Sequence, residues 1–145
     1  MKAVRTLDGS RERVLAQHEA LREMIRATKD AMALDDASFA LPATVRELTT
    51  FFLKHLKVEE RDLFPIIADL DPWGPMRVEQ LVEGHRTQRA VVAAIIDQLD
   101  RDPDLAVLMA DVDWFIHLLE VDMAEEAELF LSLSDDCVMT KQECG

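Results

Sequence analysis

Residues 45–66 read VRELTTFFLKHLKVEERDLFPI, and the spacing within this stretch decides the fold. Its apolar residues recur every three or four positions, a pattern typical of a helix that buries one face. His55 and Glu59 interrupt that face near its middle. Residues four apart on a helix project from the same side, so this imidazole and this carboxylate can bind one metal ion or two neighbouring ions. The full stripe consists of Val45, Leu48, Phe52, His55, Glu59, Leu63 and Ile66.

Three further segments show helical periodicity, and each of the resulting four helices carries one histidine. We expect the helices at about residues 8–32, 42–66, 76–99 and 104–133, with Pro65 ending or bending the second. Short connections between such helices favour an up-down-up-down arrangement. The sequence therefore predicts an all-α four-helix bundle over residues 1–133, followed by a polar tail at 134–145. The four histidines, one on each helix, are His18, His55, His85 and His117.

The composition limits the classes of partner. The 29 acidic and 16 basic residues give a net charge of -13, which argues against nucleic acid and anionic membranes because both attract basic surfaces. No apolar run resembles a signal peptide or reaches the roughly 18 residues of a membrane span, so we expect a cytoplasmic protein. Cys137 and Cys144 lie in the tail, where two free thiols are expected in a reducing compartment and a redox or metal role is the alternative.

The histidines point to a metal site at mid-height in the bundle. Three of the four lie on clearly apolar stripes, and a buried imidazole is costly unless it has a partner. Glu59 adds to this argument, because a buried carboxylate also needs a partner or a cation. Imidazole and carboxylate ligands without thiolate suit iron, manganese or zinc. Four histidines with one or two carboxylates exceed one tetrahedral site, which favours two ions that share Glu59.

Four stretches carry more specific motifs. They are Gln17-His18-Glu19, the segment His55-Leu56-Lys57-Val58-Glu59-Glu60-Arg61-Asp62-Leu63-Phe64-Pro65, then Glu83-Gly84-His85-Arg86, and Trp114-Phe115-Ile116-His117-Leu118-Leu119-Glu120-Val121-Asp122. Together they resemble the hemerythrin and hemerythrin-like cation-binding domains over about residues 10–131. The resemblance implies a four-helix bundle with a non-haem diiron centre, which binds dioxygen reversibly in some members. Other members are linked to iron or oxygen sensing, or to peroxide or nitric oxide chemistry.

The resemblance also implies a set of iron ligands. Asp122 stands five residues after His117, as in the oxygen carriers, where the aspartate supplies the second bridge. Five residues turn a helix by about 140°, so this bridge requires an ion that lies between helices. The implied set is His18 and His55 on one iron, His85 and His117 on the second, and Glu59 and Asp122 as bridges.

The fourth helix also admits a second register. Aligning Glu125 with Glu59 makes Glu125 the carboxylate ligand and moves His117 one turn away from the metal. His117 and Glu125 are about 12 Å apart along the helix, so they cannot both bind one ion. We favour His117 with Asp122, because that choice uses every histidine. Four other acidic residues are expected to be solvated, namely Glu60, Glu120, Glu126 and Glu128.

Leu81 departs from the pattern of the oxygen carriers, which have a further histidine one turn before His85. The second iron is then one protein ligand short, so the alternatives for it are a water ligand, weak binding or absence, and a single iron is the alternative to two. This departure favours sensing, storage or slow redox chemistry over efficient transport. We therefore expect an iron protein that binds dioxygen or a related small oxidant, in oxygen or iron sensing, storage or carriage. Two alternatives remain: a diiron enzyme that reduces peroxide or nitric oxide, and a metal-stabilised structural or interaction module.

Overall fold

The computed structural model describes residues 7–34 and 36–140, with only the backbone of 134–140. Five α-helices and one π-helical segment make up this part of the chain. They are α1 (Leu7–Met32), α2 (Ala37–Val58), the π-helical segment (Glu59–Leu63), α3 (Phe64–Leu70), α4 (Gly74–Asp100) and α5 (Leu105–Thr140). Because α2, the π-helical segment and α3 follow one another directly, they form one rod, and the bundle has four. α1 packs on α2 and α5, and α4 packs on α2, α3 and α5. The predicted all-α four-helix bundle is confirmed.

Three helix ends differ from the predicted ones, and one of them is the end of the second rod, which continues past residue 66 to Leu70. α2 begins at Ala37, ahead of Pro42, because the Asp36 carboxylate caps it by accepting a hydrogen bond from the Ser38 N–H at 3.1 Å. The backbone of α5 stays helical through Thr140, since no glycine or proline interrupts the predicted tail before that point. The Cys137 side chain and all of Cys144 lie outside the described residues. Within the described ranges, no helix is long and apolar enough to cross a bilayer.

The π-helical segment lies where the second rod reaches Pro65. Proline has no N–H, and its ring crowds the carbonyl four residues before it, so a regular α-helix is disfavoured here. The chain opens instead into a wider turn, in which the Phe64 N–H donates to the Glu59 carbonyl oxygen. The Ser10 hydroxyl of α1 donates to the Asp62 carbonyl oxygen at 2.9 Å. This bond holds the wide turn, which begins at Glu59, against α1.

Apolar side chains fill the bundle above and below one polar level. The larger apolar cluster includes Phe52, and the smaller one includes Phe130. Along α1, Val14 belongs to the smaller cluster, Leu21 belongs to the larger one, and the buried His18 lies between them. The buried members of the smaller cluster are Val14, Leu63, Phe64, Ile67, Phe130 and Leu133. Water is therefore kept from the polar level on both sides.

Two glycines of α4 offer a matched test of the packing. A Cβ on Gly74 would lie 2.3 Å from the Ile67 carbonyl oxygen and 2.5 Å from that of Ala68. Because both neighbours are backbone atoms, we expect Gly74→Ala to lower the free energy of unfolding by about 1–3 kcal/mol. Gly84 has open space around it, so Gly84→Ala should raise that free energy by about 0.5–1 kcal/mol. Urea unfolding measures both, and a Gly74→Ala variant as stable as the parent would contradict the close approach.

Candidate metal centre

A layer of buried polar side chains crosses the middle of the bundle, and every rod contributes to it. We call its members the polar layer. α1 contributes His18, α2 contributes His55, the π-helical segment contributes Glu59, α4 contributes His85 and α5 contributes Glu126. All five are at most 3% exposed. Because water does not reach these side chains, each must find its partners inside the protein.

The polar layer contains two groups of possible metal ligands that share one carboxylate. His18, His55 and Glu126 form one group, and Glu59, His85 and Glu126 form the other. Within each group the ligand atoms lie within 4.8 Å of one another. Glu59 also approaches the first group, since its Oε1 is 2.5 Å from His55 Nε2 and 3.9 Å from His85 Nε2. Both carboxylates therefore lie between the histidines of the two groups, an arrangement that suits two neighbouring ions.

Several atoms of the polar layer have no hydrogen-bond partner among the described residues. Both oxygens of Glu59, Oε1 of Glu126, Nδ1 of His18 and Nε2 of His85 are buried and make no hydrogen bond of normal geometry, although Glu59 Oε1 lies close to His55 Nε2. Such atoms carry a desolvation penalty that a bound cation removes. Imidazole nitrogens and carboxylate oxygens, without a thiolate, are ligands for iron, manganese or zinc. The residues of the polar layer therefore fit a metal centre.

Burial shifts the pKa values of the polar layer so that the neutral forms of its side chains are favoured, and a bound cation would favour the carboxylate forms instead. It raises the pKa of Glu59 and of Glu126 to about 8, and it lowers the pKa of His55 to about 4. Burial likewise raises the pKa of Asp122, one turn before Glu126, to about 8. Without a cation, these carboxyl groups keep their protons near neutral pH and His55 is neutral. A divalent cation would displace the carboxyl protons, because its charge favours the carboxylate form.

Two residues outside the polar layer orient its histidine rings. Gln17 Oε1 accepts a hydrogen bond from His55 Nδ1 at 2.7 Å, and Glu60 Oε2 accepts one from His85 Nδ1 at 3.0 Å. Since these oxygens only accept, each Nδ1 carries the proton and each Nε2 presents a lone pair to the layer. Arg89 donates to both oxygens of Glu60, at 2.6 and 2.7 Å. Hydrogen bonds from Arg89 and His85 lower the pKa of Glu60 to about 2, so Glu60 is a charged partner and is not simply solvated as the sequence predicts.

The Glu60→Gln variant tests whether this contact supports metal binding. Glutamine can still accept the hydrogen bond from His85, but it is neutral, so the ring becomes a weaker ligand. We expect the affinity for Fe²⁺ next to His85 to fall about 10- to 100-fold in an anaerobic titration. Glu83→Gln is the matched control, since Glu83 pairs with Arg86 at 2.7 Å on the exposed side of the same helix. If both variants bind Fe²⁺ as the parent does, Glu60 does not support the site.

His117 lies apart from the other three histidines, on the exposed side of α5. Its ring stacks beside Trp114, with ring centroids 5.7 Å apart. The cause is helical geometry, because His117 comes two residues after the buried Phe115 and is therefore turned by about 200° from it. This placement corrects the expectation that all four histidines converge, and His117 does not belong to the candidate centre.

α5 brings Glu126, and not Glu125, into the polar layer. Glu125 is exposed, whereas Glu126 Oε2 lies 2.7 Å from His18 Nε2. The expectation that Glu126 is solvated is therefore wrong. The sequence alignment that pairs Glu125 with Glu59 is therefore wrong by one residue. The reason is that the π-helical turn after Glu59 contains one residue more than an α-helical turn. Glu59 stands five residues before Phe64, while Glu126 stands four before Phe130.

Asp122 lies at the edge of the polar layer, half-buried. The side chains of Glu126 and Gln88 are within hydrogen-bonding reach of its carboxylate, and its charge acts on His55. Asp122 and Glu126 repeat the four-residue spacing of His55 and Glu59. The structure thus brings together or adjoins every predicted ligand except His117. Their role as metal ligands stays a prediction.

α4 turns His85 and Gln88 towards the polar layer. Leu81, one turn before His85, packs against the smaller apolar cluster. Gln88 is 7% exposed, and its Oε1 has no hydrogen-bond partner among the described residues. Sequence reasoning missed Gln88, although its spacing of three residues from His85 puts both on one face.

Comparison with known families and proteins gives one match. The family model described as Hemerythrin HHE cation binding domain matches residues 10–133. No curated protein and no solved structure matches the chain. The matched range spans all four rods and includes every residue of the polar layer.

Proposed function

Because this chain belongs to the hemerythrin HHE cation-binding domain family, we propose that its polar layer holds two non-haem iron ions and binds dioxygen or a related small oxidant. The proposed role is oxygen or iron sensing, storage or carriage in the cytoplasm. The observation that carries this proposal is the pair of ligand groups that share Glu126, with Glu59 between their histidines. Nitrogen and oxygen ligands without thiolate suit iron, and two such groups suit two ions. The proposed ligands are His18 and His55 for one ion, His85 with Asp122 for the other, and Glu59 and Glu126 for both.

When bound, the iron ions supply the electrons that hold or reduce the oxidant. The protein supplies orientation and a dry environment. Phe52 packs beside His55 and Phe64 beside His85, with ring centroids 6.1 and 4.9 Å apart. These apolar rings exclude water from the histidine side of the polar layer. Gln88 offers a buried polar group next to His85.

Sensing, storage or slow redox chemistry is favoured over efficient transport. Leu81, where the oxygen carriers have a histidine, packs against the smaller apolar cluster. His117 is exposed, so the candidate ligands from the described part of α5 are carboxylates. The centre therefore has three histidines among its candidate ligands. Fewer imidazoles and more carboxylates make a more anionic site, in which Fe³⁺ is stabilised relative to Fe²⁺. Such a centre has a lower reduction potential, so it is easier to oxidise and harder to reduce.

Metal loading and removal test the proposal. Protein reconstituted anaerobically with Fe²⁺ should contain about two irons per chain, and exposure to oxygen should produce an absorption band that reduction reverses. Because an ion that binds only the folded chain stabilises it, chelation should lower the melting temperature by roughly 5–10 °C. The Glu83→Gln variant, altered only at the surface, should give the same values as the parent.

Other outcomes would replace this function with one of the alternatives. Catalytic turnover of peroxide or nitric oxide by the iron-loaded protein, lost in Glu59→Ala, would make it an enzyme. A melting temperature that is unchanged by iron and by chelators would leave a structural module with hydrogen-bonded histidines. The second outcome would contradict the metal centre itself.

A further inference from the structure

We infer that the two metal positions of the polar layer differ in preference, with iron next to His18 and His55 and Mn²⁺ next to His85 when Mn²⁺ is supplied in excess over iron. This inference rests on the proposed function, since it requires two ions in the layer. We call the position next to His18 and His55 the histidine-rich position. The position next to His85 is the oxygen-rich position.

The difference comes from the side chains that are not shared. Glu59 and Glu126 lie between the two positions and do not distinguish them. The histidine-rich position has two imidazoles, whose ring centroids are 5.2 Å apart. The oxygen-rich position has the single imidazole of His85.

Oxygen atoms replace the missing imidazole in the oxygen-rich position. Gln88 follows His85 by one turn on α4, and its buried Oε1 has no partner among the described residues. Asp122 of α5 lies within hydrogen-bonding reach of Gln88 and Glu126, and its charge also acts on His55; the contact with Gln88 is what places its carboxylate next to the oxygen-rich position. The position therefore offers one nitrogen and as many as four side chains with oxygen atoms. Glu60 adds a further negative charge behind His85, because it accepts the hydrogen bond from Nδ1.

A single sequence difference accounts for most of this asymmetry. α1 and the second rod contribute a histidine and a His-x-x-x-Glu pair, His55 and Glu59. α4 and α5 contribute His85 and an Asp-x-x-x-Glu pair, Asp122 and Glu126. The two halves of the centre thus match at every place except one, where an aspartate stands instead of a histidine.

Ligand chemistry converts this asymmetry into metal preference. Imidazole suits iron, while carboxylate and carbonyl oxygens suit manganese. At a given site, Fe²⁺ binds more tightly than Mn²⁺, so iron occupies the histidine-rich position when both are present. The oxygen-rich position discriminates less strongly against Mn²⁺, because one nitrogen ligand stands where the other position has two. When Mn²⁺ is in excess over Fe²⁺, a mixed pair of ions is therefore the expected result.

The test uses the full chain, loaded anaerobically with excess Fe²⁺ and a roughly tenfold larger excess of Mn²⁺, which offsets the general preference for iron, and then freed of unbound metal. We expect about one iron and about one manganese per chain by elemental analysis. Anomalous diffraction at the two absorption edges should find manganese next to His85. Two irons per chain, or manganese divided equally between the positions, would overturn the inference while the proposed function stands. Protein that binds neither metal would overturn the proposed function itself.

Asp122→His tests the cause of the preference. It gives the oxygen-rich position a second imidazole, so we expect its manganese content relative to iron to fall about tenfold. Glu125→His is the matched control, because it makes the same kind of exchange at an exposed position of α5 and should keep the parent ratio. Asp122→Glu keeps the carboxylate and should keep the manganese, even if the histidine variant folds poorly. An unchanged ratio in a folded Asp122→His variant, or iron in place of manganese in Asp122→Glu, would contradict the inference.

Discussion

Glu126→Gln is expected to abolish stable binding of both ions while leaving the metal-free protein at least as stable as the parent. Glu126 belongs to both ligand groups, so its loss removes one ligand from each position. Burial raises its pKa to about 8, so it is protonated near neutral pH when no cation is present. Glutamine resembles that protonated form in shape and charge. We expect metal affinity to fall at least about 100-fold, and the stabilisation by iron to disappear.

Glu125→Gln is the control for this experiment. It removes the same charge from the neighbouring residue, which is exposed on α5. Elemental analysis and melting curves with and without iron should show full loading of Glu125→Gln and almost none of Glu126→Gln. If the Glu125 variant loses metal instead, then Glu125 is the ligand, as in the second register that the sequence admits for the fourth helix. It would also contradict the orientation of α5.

The sequence correctly predicts the bundle and its three inward histidines, and one physical reason explains why. On α1, α2 and α4 the histidine falls on an apolar stripe that is flanked by polar residues, so the buried face is unambiguous. α5 is apolar on several sides between Leu105 and Val121, so no single stripe stands out there. His117 was consistent with an inward position only because the other histidines are inward. Its exposure shows that likeness to the other helices is a weaker guide than the spacing of the helix itself.

The end of α5 nevertheless contains the signal that identifies Glu126. Its buried residues recur in steps of three and four, which include Glu126 and leave out both His117 and Glu125. They are Leu108, Val112, Phe115, Leu119, Met123, Glu126, Phe130 and Leu133, and Ile116 is buried in addition, beside Phe115. Counting backwards from Phe130 and Leu133 would therefore find the ligand candidate from sequence alone.

The π-helical segment explains why alignment of the two Glu-Glu motifs fails. A search for helical periodicity does not detect one inserted residue, and Pro65 by itself predicts only that the helix breaks or bends. The structure accommodates Pro65 by a wide turn that begins at Glu59, so the Leu63-Phe64 pair is displaced by one position relative to Leu129-Phe130. π-helical segments frequently lie at functional sites, and this one begins at Glu59 of the candidate centre.

The metal-free protein is expected to lose stability steeply as the pH rises from about 6.5 to about 8. Burial raises the pKa of Glu59, Asp122 and Glu126 to about 8, above their unfolded values of 4.5, 3.8 and 4.5. Between those limits the folded chain holds more protons than the unfolded chain, so the free energy of unfolding falls with rising pH. Each carboxyl contributes on the order of 2 kcal/mol over the upper part of this range.

His55 acts in the opposite direction at lower pH. Burial lowers its pKa from 6.5 to about 4, so the folded chain binds fewer protons there, and this contribution to stability is lost as the pH falls below 6.5. Above 6.5 the imidazole is neutral in both states, and the carboxyl groups alone set the slope. Melting temperatures of chelated protein across this range measure it, and Glu126→Gln should make the slope shallower by removing one of the three groups.

Iron should remove this pH dependence, because above about pH 6.5 the carboxyl groups are deprotonated both in the iron-loaded folded chain and in the unfolded chain. A bound cation holds Glu59 and Glu126 as carboxylates, so binding releases protons and becomes tighter as the pH rises. The gap in melting temperature between loaded and chelated protein should therefore widen from about pH 6.5 to about 8. Glu83→Gln, which alters an exposed ion pair, should keep the parental slopes in both forms. A gap that stays constant over this range would mean that the buried carboxyl groups do not exchange protons for metal, and the polar layer would then lack the chemistry that makes it a metal centre.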